Sequence, residues 1–331
     1  MTLTGTAPPE DVVQQATSAS GAAPSSSSLV PDTISGETWA EGIALWSPER
    51  PALYDVVLEI VDARGAVVDS VKTYTGMRKI SVDDGLVKLN NKPYFQRLVL
   101  DQGYWPESGM TAPDDEAYRQ DILMMKELGI NGARKHQKVE DPRFLYWADR
   151  LGFLVWGEMA NAYQFSQGYM ERFAQEWTAA VRRDMNHPCI VTWVPVNESW
   201  AHPAIPTKRP QADFLRALYW LTKSIDPSRP VVDNDGWEHV QTDLMTVHDY
   251  AAADQLAVTA SSKDSLLDNK AGRPVAIPST ANSGQPILLS EFGGIAIDLS
   301  DKSQAKGDSD WGYQTASSED DLLQRIKALI E

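Results

Sequence analysis

The rhythm of apolar positions changes twice along the chain. Up to residue 36, Ser, Thr, Ala and Pro dominate, with "SGAAPSSSS" at the centre. Such a stretch buries too little apolar surface to offset its ordering entropy. Residues 1–36 are therefore predicted to be flexible, with one short strand near Val12 to Ala16. Residues 37–85 alternate instead. "LYDVVLEIVD" and "AVVDSVKTYTGMRKISV" are rich in Val, Ile and Tyr, and "DARG" between them is a turn signal. The pair predicts a β-hairpin. Two or three strands do not make an independent domain, so they read as the last strands of a β-sandwich.

From residue 86 to 331 strand and helix patterns alternate. "PYFQRLVLDQG" is strand-like, and "DDEAYRQDILMMKELG" follows at helical spacing with Gly129 as a stop. "INGARK" is the second strand. The helix "DPRFLYWADRLG" opens on Asp141 as N-cap with Pro142 at its first position, and closes at Gly152. "FLVWGEM", "CIVTWVPVNES", "PVVDND", "LMTVHDY" and "PILLSEFGG" continue the strands. Helices are expected at "MERFAQEWTAAVRRDM" and "ADFLRALYWLTKSI", with a short one after "PVVDND". Residues 251–285 read as irregular. The chain closes on a helix whose capping box is Ser318 with Asp321. Alternation of this kind implies a parallel sheet. The expected fold is α/β, a (β/α)₈ TIM barrel lacking its eighth strand. A doubly wound sheet competes, but no Gly-rich phosphate loop follows the first strand.

Composition narrows the chemistry. The 331 residues carry a net charge of −16, which argues against a nucleic-acid partner. The lone cysteine, Cys189, excludes an intrachain disulfide and thiolate metal clusters, and reads as a buried small hydrophobe. No apolar run is long enough to predict a membrane span. The N-terminus lacks a basic and an apolar signal region, so the expected location is cytoplasmic. Oligomeric state is left open.

The strand ends carry the candidate chemistry, because barrel sites gather there. In order they give Asp101 and Gln102; Arg134, Lys135 and His136; Trp156 and Glu158; Asn197 and Glu198; Asp233, Asn234 and Asp235; His248, Asp249 and Tyr250; and Glu291. Glu198 and Glu291 each follow an apolar run. Across one mouth they would supply the acid and the nucleophile for glycosidic bond cleavage. Asp101, Lys135 and Trp156 are candidate subsite residues. Trp105, Trp200 and Trp237, like Trp156, lie after strands and offer faces for sugar rings, whereas Trp147, Trp177 and Trp220 lie on helices and read as core. No metal is expected; Glu158 with His248 is the one pair with ligand character. Asn197-Glu198-Ser199 also matches a glycosylation sequon, in a poor place for one.

"NHPCIVTWVPVNES" and "PILLSEFGG" resemble the acid/base and nucleophile strands of glycoside hydrolase family 2, the β-galactosidases, β-glucuronidases and β-mannosidases. "GINGARKHQKVEDPRFLYWADRLGFLVWGEM" and "LNNKPYFQRLVLDQGYWPES" resemble the family's first three barrel strands. The resemblance implies a retaining exo-β-glycosidase acting on a terminal β-linked sugar, without a cofactor. It makes Glu198 the acid/base and Asn197 the partner of the sugar 2-hydroxyl. Glu291 becomes the nucleophile, with Tyr250 beside it and Arg134 holding it ionised. His136 stands near the family's substrate-contacting His, at a different spacing from the Arg. The resemblance makes the strands of residues 37–85 the last of the family's immunoglobulin-like β-sandwich, while its jelly-roll domain and Trp-bearing eighth barrel strand have no counterpart. The chain thus reads as the catalytic part, truncated at both ends. The alternative is a remnant that binds carbohydrate without turnover.

Overall fold

Backbone polarity and side-chain caps set most element boundaries. A computed structural model describes residues 2–5, 43–268, 272–280, 284–297 and 313–331. The first strands are β1 Thr2–Gly5, β2 Tyr54–Val61, β3 Val67–Thr75, β4 Ile80–Asp83, β5 Leu86–Leu89 and β6 Lys92–Pro93. The alternating part holds β7 Leu98–Asp101, α1 Asp115–Glu127, β8 Gly132–Lys135, α2 Pro142–Leu151, β9 Leu154–Glu158, α3 Gln167–Asp184, β10 Ile190–Val194 and α4 Arg209–Ile225. It continues with β11 Met245–His248, α5 Ala253–Thr259, α6 Lys263–Leu267, β12 Ile287–Glu291, β13 Ile295–Ile297, β14 Gln314–Ala316 and α7 Glu319–Ile330.

β2 and β3 form the predicted hairpin, in register from Tyr54↔Thr75 to Val61↔Val67. At its turn, Asp62 Oδ1 accepts from Arg64 N at 2.8 Å and Ala66 N at 2.9 Å. An acid bonding its own backbone in this way mimics a turn. The predicted flexible segment and the strand near Val12 to Ala16 fall outside the described residues, except that β1 pairs antiparallel with β2. An open strand edge accepts an extended backbone whatever its side chains, so the sequence pattern gives no warning of β1.

Three contacts tie these strands to the barrel. Trp46 is fully buried and its Nε1 donates to Asp149 O at 2.8 Å. Tyr74 donates its hydroxyl proton to Asp149 Oδ2 at 2.8 Å. Arg78 donates to Pro188 O and Ile190 O at 2.9 and 2.6 Å, which satisfies carbonyls at the start of β10. The remaining strands, β4 to β6, form a small antiparallel sheet.

β7 to β10 form one parallel sheet in the order β10-β9-β8-β7. The helices between them begin where acceptors cap them. Asp114 accepts from Ala117 N, Asp141 from Arg143 N, and Ser166 from Tyr169 N, each replacing a missing intrahelical bond. Gly152 ends α2 at φ +69, and a Cβ there would lie 2.3 Å from Pro48 O, so only glycine fits. Ser318 caps α7, but Asp321 returns its bond to Ser317 N, one residue earlier than in a regular capping box. The main core gathers Trp177, Trp193, Val191, Val194 and Leu215 between sheet and helices, with Cys189 fully buried among them. Trp220, expected in the core, is 59% exposed; it lies on the outer face of α4.

The fifth strand position departs from expectation. "PVVDND" makes only two parallel bridges, Trp193↔Val231 and Asn197↔Asp235. No helix covers residues 236–244. The cause is local: Asp233 Oδ2 accepts from Val240 N and Gln241 N at 2.6 and 2.9 Å. Side-chain acceptors compete with the backbone for donors that a helix would use. The expected irregular segment contains α5 and α6, too short to leave an apolar stripe. β11 and β12 pair in parallel from Met245↔Ile287 to His248↔Glu291. Among the described residues, β7 and β12 each keep one edge without a strand partner. Parallel strands alternating with helices are the α/β order that the sequence predicts. Among the same residues no helix is long and apolar enough to cross a membrane.

Candidate active site

Arg134, on β8, is the hub of the barrel mouth. Its Nε donates to Glu158 Oε2 at 2.6 Å and one terminal nitrogen to Glu291 Oε1 at 2.6 Å. The other terminal nitrogen donates to Asn197 Oδ1 at 2.7 Å and Glu158 Oε1 at 3.2 Å. Asp235 Oδ2 stands 2.5 Å from the guanidinium. The arginine side chain is 3% exposed, so its charge is neutralised by protein groups rather than by water. Burial opposes that charge, but Asp235, Glu158 and Glu291 outweigh it and hold the pKa above the ordinary value. A planar fork of five donors suits this task, where a point charge would not.

Glu291 ends β12. Besides Arg134, it accepts a hydrogen bond from the Tyr250 hydroxyl. His136 Nε2 lies 3.7 Å from its Oε1 and His248 Nδ1 lies 3.4 Å from its Oε2. Burial, then the Glu291 charge, push the Tyr250 phenol above its usual range, so it stays a proton donor. Burial and the nearby Arg134 pull His136 down to about 4. That ring is therefore neutral at pH 7.

Glu198 follows β10 in a strained turn. Glu198, Ser199 and Ala201 have φ of +49, +59 and +65, a region costly for residues with a Cβ. Side chains and backbone from the fifth strand position hold the turn. Glu198 N donates to Asp235 O at 3.0 Å, Ser199 N to Asn234 Oδ1 at 2.8 Å, and Ser199 Oγ to Glu238 Oε2 at 2.6 Å. The turn leaves the Glu198 side chain 21% exposed, against 5% for Glu291 and 0% for Glu158. Of these three carboxylates it is the one that solvent reaches most readily.

His248 links the two sides of the mouth. Its Nδ1 lies 2.8 Å from Glu198 Oε1 and its Nε2 lies 2.8 Å from Asp235 Oδ2. A nitrogen facing a carboxylate oxygen carries a proton, so the ring is doubly protonated. Burial works against that charge, but the Asp235 carboxylate dominates and raises the pKa to about 9. Asp235 itself is held below the usual carboxylate range, since Arg134 and His248 outweigh its burial. Glu158 goes the other way, pushed up by burial. Gly236 makes room for the imidazole, because a Cβ there would stand 2.6 Å from Nδ1.

Of the expected residues, Glu198, Glu291, Arg134, Asn197, Tyr250 and His136 converge. Asn197 is 1% exposed, which leaves no room for a glycan. Asp101, Lys135 and Trp156 do not converge. Asp101 pairs with Lys135 at 2.5 Å, and Lys135 reaches Glu140 at 2.6 Å. Successive strand residues face opposite ways, so Asp101 and Lys135 point to the helical layer while Arg134 points into the barrel. Trp156 is 2% exposed and donates to Gln96 Oε1 at 2.8 Å. It lies two residues before Glu158, about 6–7 Å deeper along β9, and is core. The sequence reading left Asp235, His248 and Glu158 as mouth residues without a role. It missed Tyr313, whose ring stacks on Tyr250 with centroids 3.7 Å apart.

Among the described residues, two sets could offer metal ligands: Glu198, His248 and Glu291, and Asp149, His187 and Cys189, each with donor atoms within 4.8 Å of one another. In both, a ring nitrogen is already bonded to a carboxylate, at 2.8 and 2.6 Å. Glu158 and His248 do not pair; Arg134 and Gln137 N occupy Glu158.

Residues 80–306 match the family model "Glycosyl hydrolases family 2, TIM barrel domain", and residues 7–78 match "Glycosyl hydrolases family 2". The chain belongs to glycosyl hydrolase family 2. Within the family, it is 30% identical to a Yersinia enterocolitica β-galactosidase over 75% of this chain and 23% of the relative. A Vibrio cholerae β-galactosidase is 34% identical over 64% of this chain and 20% of the relative. The chain thus spans less than a quarter of the length of these curated relatives. The structure of a Dictyoglomus thermophilum β-D-glucuronidase is similar in fold, with a TM-score of 0.65 and 19% identity over 87% of this chain and 50% of that one.

Proposed function

We propose that this family 2 chain carries the catalytic centre of a retaining exo-β-glycosidase acting on a terminal galactoside, glucuronide or mannoside. The observation that carries the reading is the spacing of the two glutamates. One oxygen of Glu198 and one of Glu291 lie within 4.8 Å of each other. Carboxyl groups about 5–5.5 Å apart suit a retaining displacement, whereas inversion needs roughly 6.5–9.5 Å to admit water. The names of the similar proteins, β-galactosidases and a β-glucuronidase, support the substrate class.

In this mechanism Glu291 attacks the anomeric carbon while Glu198 protonates the departing oxygen. Glu198 then deprotonates a water that displaces Glu291, restoring both groups. Arg134 and Tyr250 hold Glu291 aimed at the anomeric carbon. Asn197 gives its carbonyl oxygen to Arg134, which directs its NH₂ to the sugar 2-hydroxyl. His136, neutral, contacts the sugar as well. The chemistry needs no cofactor. We assign the catalytic domain to residues 86–331 and a partial sandwich to 37–85.

The test is turnover of aryl β-galactoside, glucuronide, mannoside and glucoside by this chain, with Glu291→Gln alongside. Release from one of them, reduced about 10³-fold or more in the variant, supports the reading and names the sugar. A folded chain that binds sugar but releases nothing would favour a carbohydrate-binding remnant.

A further inference from the structure

One aromatic pair at the mouth has no part in the mechanism above. Tyr163, in the loop between β9 and α3, is 86% exposed, and Trp200, two residues after Glu198, is 42% exposed. Their rings meet edge to face with centroids 5.6 Å apart. Large exposed aromatics in mutual contact mark a binding surface more often than chance packing.

The loops under the pair are fixed to each other. Asn161 donates to Pro195 O at 3.2 Å, at the end of β10, and accepts from the Tyr169 hydroxyl at 2.6 Å. Phe165 packs its ring on His202 at 5.3 Å, and Phe214 stacks on the same imidazole at 5.9 Å. His202 Nδ1 lies 2.8 Å from Trp200 O. Burial pulls His202 down to about 4, so it is neutral and spends its one N–H on that carbonyl. Both loops therefore rest on one cluster of rings, with His202 buried at its centre and Phe165 and Phe214 partly buried against it. A platform held in this way loses little conformational entropy when a ligand sits on it.

Position identifies the ligand. Glu198 Oε1 lies 2.8 Å from His248 Nδ1 on β11, while Tyr163 stands in the loop after β9 and Trp200 in the turn that carries Glu198. Groups that flank the acid meet the leaving group, because the acid must reach the departing oxygen. We propose that Tyr163 and Trp200 form a platform for the ring of the leaving group, either an aryl ring or a second sugar presenting its apolar C–H face. The proposal rests on the glycosidase reading and adds its leaving-group specificity.

The experiment compares phenyl, disaccharide and methyl glycosides of whichever sugar the chain cleaves, in wild type, Tyr163→Ala, Trp200→Ala and Trp200→Phe. Loss of a ring contact should raise KM about tenfold for substrates with a ring on the leaving side. Methyl glycoside should stay within about twofold of wild type, and Trp200→Phe should keep most of the ring preference. The phenyl and disaccharide arms tell which ring the platform takes. Equal losses for methyl and ring substrates, or no loss at all, would overturn the proposal. They would make the pair a loop support or a contact for another domain. If the folded wild type turns over none of them, the glycosidase reading fails, and the platform is then tested alone with phenyl β-thiogalactoside followed by NMR. Binding weakened in Tyr163→Ala would sustain it; unchanged or absent binding would end it.

Discussion

The two halves of the barrel are held by different means. β7 to β10 form a continuous four-stranded parallel ladder. Among the described residues, the backbone ladder beyond β10 thins to two single bridges, and β11 pairs with β12 alone. Side chains take over there. Asp233 holds two backbone donors and lies 2.8 Å from His239 Nδ1, Thr246 N donates to the same imidazole at Nε2, and Asn234 holds Ser199 N. The difference shows that one site is assembled from two kinds of support. The irregular half supplies Asp235, His248, Tyr250 and Glu291 and holds the Glu198 turn. The regular half contributes Arg134, which joins both, with His136, Glu158, Asn197 and Glu198 at the ends of its strands.

Arg134 is the seam, and its loss should have the largest effect on stability. Arg134→Met leaves Glu158, Asp235 and Glu291 buried without their shared cation. Breaking a buried ion pair from one side costs about 3–5 kcal/mol. Urea unfolding should show that loss, and an effect below about 1 kcal/mol, the surface-pair range, would deny the seam. Next, Asp233→Ala should cost about 2–4 kcal/mol, because two buried N–H groups lose their acceptor. A pH effect of similar origin belongs to His248. Its pKa is raised from 6.5 to about 9, so the stability it confers is full below pH 6.5 and is lost as pH rises through 9. The stability difference between wild type and His248→Asn should shrink by about 2–3 kcal/mol across that window. A difference that does not change with pH would show the ring to be neutral throughout. Smallest is Asp114→Ala in the regular half, a cap loss of about 1 kcal/mol. If it exceeds Asp233→Ala, the comparison of the halves is wrong.

That comparison also explains what the sequence disclosed. The first four strands and their helices were legible because periodicity and caps agree, as at Asp141, Pro142 and Gly152. Glu198 and Glu291 stood out because each carboxylate ends an apolar run, and Arg134, Asn197 and Tyr250 followed from the family resemblance. Asp101 and Trp156 misled because a strand end alone does not say which of two neighbours faces inward, or how deep a ring lies. Pairing Asp101 with Lys135 and Arg134 with Trp156 requires the register, which only the folded sheet supplies. The fifth strand position failed for a related reason: Asp233 reads as a strand-end acid, but its partners are seven and eight residues away in a turn. His248 was visible as a polar residue, yet its role depends on carboxylates from two other elements.

The proposed mechanism has Glu291 attack the anomeric carbon from the side opposite the departing oxygen, which Glu198 protonates. The most direct test is to trap the covalent intermediate with an activated 2-deoxy-2-fluoro β-glycoside of the cleaved sugar and map the adduct by peptide mass spectrometry. The account predicts a single glycosyl adduct on the peptide bearing Glu291, absent from Glu291→Gln. An adduct on a different carboxylate, or turnover that releases sugar of inverted configuration with no adduct, would contradict it.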